Sequence, residues 1–235
     1  MRKVLGIALA VWLGAAAGTV AEVGVKNPVV VELYTSQGCS SCPPADAILS
    51  AMATRRDVIA LALHVDYWDY IGWKDAFADA RYTERQRAYA RVAGARTIYT
   101  PQMIVAGTDH LVGARAADLA ELITRHNAMP QRAQLAVRRE GDAVVISADP
   151  VAALPDGALL QLVRYRPEET VQIRAGENAG RTITYRNIVT DWRQIDTWDG
   201  RSPLSRRVDL PAGQPAVVLL QEPGPGRILA AARLD

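Results

Sequence analysis

The sequence predicts an α/β protein of two domains: a mixed strand-and-helix domain with a helical insert over residues 22–130, then an all-β, sandwich-like domain over residues 131–235. Three observations predict it. Apolar runs alternate with helical stripes up to about residue 128. Short strand-like segments separated by Gly and Pro turns follow Met129-Pro130. The only two cysteines of the chain, Cys39 and Cys42, stand between the first strand and the first helix.

Each element has its own justification. Pro28 to Tyr34 is apolar except for Glu32, the pattern of a strand buried on both faces. After Pro43, the residues Ala45, Ile48, Leu49 and Met52 recur at helical spacing, and Arg55-Arg56 suits a helix C-terminus. Val58 to Val65 reads as a second strand, followed by the polar and aromatic run Asp66-Tyr67-Trp68-Asp69-Tyr70-Ile71-Gly72-Trp73. Thr83-Glu84-Arg85-Gln86 fits a capping box that opens a helix running to about Val92. Thr100-Pro101 leads into strands at Gln102 to Ala106 and His110 to Val112. Ala116, Leu119, Leu122, Ile123 and His126 trace a closing helix. Beyond Pro130, seven short strands are predicted, among them Ala158 to Arg166 and Arg181 to Val189.

The N-terminus is read separately. Arg2-Lys3, the uncharged stretch Val4 to Ala17 and the small residues Thr19 and Ala21 describe a secretory signal peptide over residues 1–21. A retained anchor is the rival, because the uncharged run reaches Ala21 and roughly 18 residues can span a bilayer. Export places the mature protein in the periplasm or outside the cell, with no membrane insertion after cleavage. The chain carries 27 Lys and Arg against 25 Asp and Glu, and losing Arg2 and Lys3 makes the two equal. A neutral mature chain gives no case for nucleic acid as partner.

Cysteines in an exported protein persist as disulfides unless another protein reduces them. A structural disulfide stabilises mainly by closing a long loop, and Cys39–Cys42 closes almost the shortest one available. The pair therefore points to thiol–disulfide exchange, with Cys39 as nucleophile in the more exposed loop and Cys42 as the resolving thiol. The reacting partners would be exported proteins or small thiols and disulfides, served by a redox partner protein, with no cofactor. Pro43 disfavours the helical conformation at Cys42, so the helix is expected to start late. Pro101 is expected to be cis and to shape a substrate groove with Thr100, Tyr67, Trp68 and Trp73. Glu32 has a structural reading, a carboxylate paired with an arginine between Arg81 and Arg91 or placed at a sheet edge, and a functional one, a general base for Cys42. His64 and Asp66 end the second strand and are weaker candidates, and His110 and His126 weaker still. Two other functions stay open. The dithiol could hold copper(I) for delivery, although His64 or Met103 beside a single Cys-x-x-Cys makes a poor closed metal site. The chain could also be a scaffold.

Cys39 to Cys42, Thr100-Pro101 and Leu111-Val112-Gly113-Ala114 resemble the thioredoxin superfamily, with Ser40-Ser41 in place of its usual Gly-Pro and no tryptophan before Cys39. More closely, Glu32 to Asp46, His64-Val65-Asp66-Tyr67-Trp68, Gly72-Trp73-Lys74-Asp75, Arg85 to Ala90 and Tyr99 to Met103 resemble the bacterial secreted domain-of-unknown-function family 1223. That resemblance implies a thioredoxin-like fold and an exported protein. It implies no substrate.

Overall fold

A computed structural model describes residues 27–234. The expected signal peptide at residues 1–21 lies outside the described residues. The chain builds one large mixed sheet and one small sheet, with three α-helices among the described residues. In chain order the elements are β1 (Val29–Thr35), α1 (Pro43–Met52), β2 (Val58–His64), α2 (Ala80–Val92), β3 (Gln102–Val105), β4 (Asp109–Val112) and α3 (Ala116–Asn127). There follow β5 (Ala133–Glu140), β6 (Ala143–Pro150), β7 (Ala158–Gln172), β8 (Thr182–Trp198), β9 (Leu204–Asp209), β10 (Ala216–Gln221) and β11 (Ile228–Leu234).

The topology overturns the predicted fold class. The eight-stranded sheet has the order β11-β10-β7-β8-β2-β1-β3-β4, so four strands from beyond Pro130 extend the sheet that β1 to β4 begin. Only β5, β6 and β9 form a separate sheet. Among the described residues there is neither a thioredoxin-like domain with a helical insert nor an independent sandwich. The stretch expected to be an insert contributes α2, whose Tyr82 and Tyr89 pack in one core with Val30 and Leu61 and with Val163, Tyr165, Val217 and Leu219. Periodicity in a sequence reports which face of a strand is buried, and it carries no information on which strand lies alongside. Here β8 runs parallel to β2 and meets it at Ala62 and Ile188, joining the two halves.

Side chains alternate across the sheet. On one face Val30, Tyr34, Leu61 and Leu63 meet α2. On the other, Val31, Leu33, Ala60 and Ala62 pack against Ala45 and Leu49 of α1 and Leu119 and Ile123 of α3. A further core joins Leu160, Leu162, Val218 and Leu220 of the large sheet to Val144, Ile146 and Leu204 of the small one. Strands β7 and β8 run 15 and 17 residues, far longer than the predicted segments, and pair as one long antiparallel ribbon. Its distal end passes beyond the core to reach the cysteines. Two helix starts also differ from expectation. Asp79, not Thr83, caps α2: its carboxylate accepts from the Arg81 N–H at 2.8 Å, while the Thr83 hydroxyl donates to Asp66. Helix α1 begins at Pro43, directly after Cys42.

Candidate functional site

Parallel pairing puts Thr35 and His64, the last residues of β1 and β2, side by side. The loops leaving both strands therefore start at the same edge of the sheet, where ligand sites of parallel strands gather. The first loop carries Cys39 and Cys42, which form a disulfide. Cys42 adopts φ −79° and ψ −35° despite the proline that follows. Its carbonyl accepts the N–H groups of Ala45 and Asp46, and its own N–H donates to the Cys39 carbonyl, so local bonding outweighs the pre-proline preference. Pro43 and Pro44 occupy the first helical positions, where a missing N–H breaks no helical hydrogen bond.

Both cysteines are buried, Cys39 at 1% exposure, although the sequence placed Cys39 in the more open loop. The cover comes from two directions. From the loop after β2, Trp73 Nε1–H donates to Gln37 Oε1 at 2.8 Å, and Asp75 Oδ2 accepts the Gln37 N–H at 2.8 Å. From the tip between β7 and β8, Asn178 Nδ2 donates to the carbonyls of Gln37 at 2.9 Å and Cys39 at 2.8 Å. Glu177 Oε2 accepts the Ser40 N–H at 3.2 Å. Gly176, at φ +74°, turns the tip over Trp73, where an added Cβ would lie 3.2 Å from the Trp73 Cβ. Asn178 and Glu177 were missed in the sequence because they are 139 and 137 residues from the atoms they bind.

Beyond the disulfide lies a buried polar group on the α1 face. Asp46 follows Cys42 by one helical turn, and its Oδ1 accepts the Thr35 hydroxyl at 2.8 Å. Burial raises the Asp46 carboxyl to about 7, opposed by the His64 charge and the Thr35 hydrogen bond and reinforced by Asp75. His64 Nδ1 pairs with Asp75 Oδ2 at 2.7 Å, and its ring meets Phe77 and Tyr185 edge-on. Burial also pushes Asp75 up, but His64 and the N–H groups of Gln37 and Phe77 bring its carboxyl below the ordinary range. Among the described residues, Asp46 Oδ2, His64 Nε2 and Gln37 Nε2 are buried without a protein hydrogen-bond partner.

The other candidates divide. The Thr100–Pro101 peptide is cis. Pro101 is buried near α1, since a Cβ on Gly113 would fall 2.9 Å from the Cβ atoms of both Ala45 and Pro101; only glycine fits between them. Trp68 Nε1–H donates to Thr100 Oγ1 at 2.8 Å, and the exposed Tyr70 stacks on Trp68. Tyr67 instead donates to Gln86 of α2 at 3.2 Å. Glu32 is removed from the cysteines. Its side chain lies on the α2 face, gripped by Arg85 at 2.8 and 2.9 Å and by the hydroxyls of Tyr34 and Tyr89. His110 packs against Tyr89, and His126 pairs with Asp109. Among the described residues no group of three or more His, Cys, Asp and Glu is placed to hold a metal ion, and no helix is long and apolar enough to cross a membrane. A cleft of about 570 Å³ lined by Pro28, His126 and Ile228 sits at the opposite end of β1.

No curated protein matches the chain. Among solved structures, a crystal structure of an Agrobacterium tumefaciens protein is 35% identical, with a TM-score of 0.76 over 88% of this chain and 93% of that one. HBP35 of Porphyromonas gingivalis has a similar fold, with a TM-score of 0.64 at 15% identity over 89% of this chain and 75% of that one. A family model described as protein of unknown function DUF1223 matches residues 30–221, and the chain belongs to that family.

Proposed function

We propose that this protein is an exported thiol–disulfide oxidoreductase acting through Cys39 and Cys42. The observation that carries the reading is the Cys39–Cys42 disulfide at the N-terminus of α1 with the buried Asp46 carboxyl one turn from Cys42, which burial pushes up to about 7. A purely structural disulfide has no use for an acid that exchanges protons near neutrality, whereas a resolving thiol needs a proton acceptor.

In the reduced protein, the Cys39 thiolate attacks a sulfur of the substrate disulfide. That S–S bond breaks, a mixed disulfide forms, and one substrate thiolate leaves. Asp46 takes the Cys42 proton, the Cys42 thiolate attacks Cys39 sulfur, and the second substrate thiolate leaves. The protein dithiol is oxidised to the disulfide and the substrate is reduced to two thiols, which take up the Cys42 proton released by Asp46 and one proton from solvent, equal to the one Cys39 lost on becoming a thiolate. The oxidised protein runs the same steps in reverse. Side chains in a helix lean toward its N-terminus, which directs the Asp46 carboxyl to the Cys42 end of α1.

Pro101 lies near Ala45 of α1, Trp68 lies against Gly38 before Cys39, and Thr100 bonds Trp68; Thr100 and Trp68 would supply the surface on which a substrate chain rests. The test is turnover of a protein disulfide by Cys39→Ser and Cys42→Ser variants. Cys39→Ser should be inactive, and Cys42→Ser should accumulate mixed disulfides. Activity retained in Cys39→Ser would sink the mechanism. Stoichiometric copper(I) lost in both variants, with no exchange in the parent, would replace this reading with metal delivery.

A further inference from the structure

We infer that Glu177, at the tip between β7 and β8, is a positioning residue that restrains the Cys39 thiolate. The inference rests on the exchange reading above.

A thiolate at the head of a helix is ordinarily stabilised by free backbone N–H groups around it. This chain has few to offer. Pro43 and Pro44 have no N–H, and the Cys42 N–H is spent on the Cys39 carbonyl. Of the two serines between the cysteines, Ser40 has its N–H engaged by the Glu177 carboxylate at 3.2 Å. Glu177 thus engages one of the remaining donors and sets a negative charge on the residue next to Cys39, whose sulfur must become negative. Both effects disfavour the thiolate. The Ser40 hydroxyl, and after it the Ser40 N–H, hold the Glu177 carboxyl below its ordinary range, so it is ionised at neutral pH.

The carboxylate is held in place by its neighbour. Asn178 is buried and donates to the Gln37 and Cys39 carbonyls, while its own Oδ1 accepts from Arg181 at 3.0 Å. The tip is therefore tied to the cysteine loop on both sides of Cys39. The other charged groups around the disulfide are Asp46 from α1, His64 from β2, Asp75 from the loop after β2, and Arg181 from the tip. None of them bonds to the Ser40 N–H.

The experiment compares Glu177→Gln and Glu177→Ala in a Cys42→Ser background, following ultraviolet thiolate absorbance against pH. This signal reports charge on Cys39, and comparing the two variants separates loss of the carboxylate charge from any opening of the tip. Glu177→Gln keeps a carbonyl able to accept from Ser40 and loses only the charge. The midpoint should fall in both variants, with a roughly threefold rise in thiolate fraction at neutral pH for Glu177→Gln. That rise should shrink in 1 M salt, because the carboxylate is exposed. With both cysteines present, Glu177→Gln should also make the pair more oxidising, since a stabilised thiolate favours the reduced form. Titration curves that superimpose on the parent, or a midpoint that rises, would overturn the inference. A shifted titration in a protein that exchanges with no disulfide would instead leave the Glu177 effect standing and remove the exchange reading.

Discussion

Asn178 donates a 2.8 Å hydrogen bond to the main-chain carbonyl of Cys39, across 139 residues of sequence. The second half of the chain therefore completes the cysteine site, and a fragment ending near Pro130 would leave the disulfide without the part of its cover that the tip between β7 and β8 supplies. The cover also sets access, because Cys39 is buried beneath it. Asn178→Ala deletes three hydrogen bonds, to the Gln37 and Cys39 carbonyls and from Arg181, and should cost about 1–3 kcal/mol of stability. It should also speed reduction of the disulfide by a small dithiol several-fold, measured by stopped flow. A rate equal to the parent's would mean that the tip does not control entry.

Asp46 gives a prediction with a sign. Its folded value of about 7 lies above the ordinary carboxylate range, so the folded protein binds more protons than the unfolded chain between about pH 4 and pH 7. Stability contributed by this group is fully present below that window and falls as pH rises through it. Asp46→Asn removes the penalty. The variant should be more stable than the parent at pH 8, by on the order of 4 kcal/mol at most, and no more stable at pH 4. Exchange should slow at neutral pH, and the limb of the pH–rate profile near 7 should disappear. Denaturant titrations at the two pH values, with turnover across the range, check both parts.

Glu32 gives the contrasting case. The residue was legible in the sequence as a buried acid, and the arginine-rich stretch that supplies Arg85 was legible too. What the sequence could not express was the side of the sheet. Glu32 and Tyr34 point to α2, while Thr35 and Asp46 meet on the α1 face. Glu32→Gln leaves Arg85 buried over the Trp192 ring with one charge uncompensated. The expected loss is about 3–5 kcal/mol of stability, the magnitude for breaking one side of a buried ion pair. The exchange rate per folded molecule should be unchanged. Loss of turnover out of proportion to unfolding would return Glu32 to the mechanism.

The same distinction separates what local sequence encoded from what it did not. The cysteine motif between β1 and α1, the strand at Val58 and the helix at Ala116 follow from periodicity and turn chemistry within a few residues. The pairing of β8 with β2 does not, because one parallel contact at Ala62 and Ile188 is chosen by competition among many apolar strands. Asp46 was visible only as a polar residue in the first helical turn, where an acid is ordinary. Its burial against Thr35 and His64 depends on the register of two strands, and nothing near it in the sequence signals that.

Thr35 allows the Asp46 reading to be tested without touching the carboxyl. Its hydroxyl donates to Asp46 Oδ1 at 2.8 Å, a bond worth more to the charged acceptor than to the neutral one, and so it holds the acid down against burial. Thr35→Val is close in shape and has no donor. Asp46 should then titrate above its present value of about 7, and the limb in the exchange profile should move to higher pH with the plateau rate largely kept. A double variant, Thr35→Val with Asp46→Asn, should show no such limb. If Thr35→Val moved the limb to lower pH, or if the limb survived in the double variant, the group titrating in the profile would be something other than Asp46.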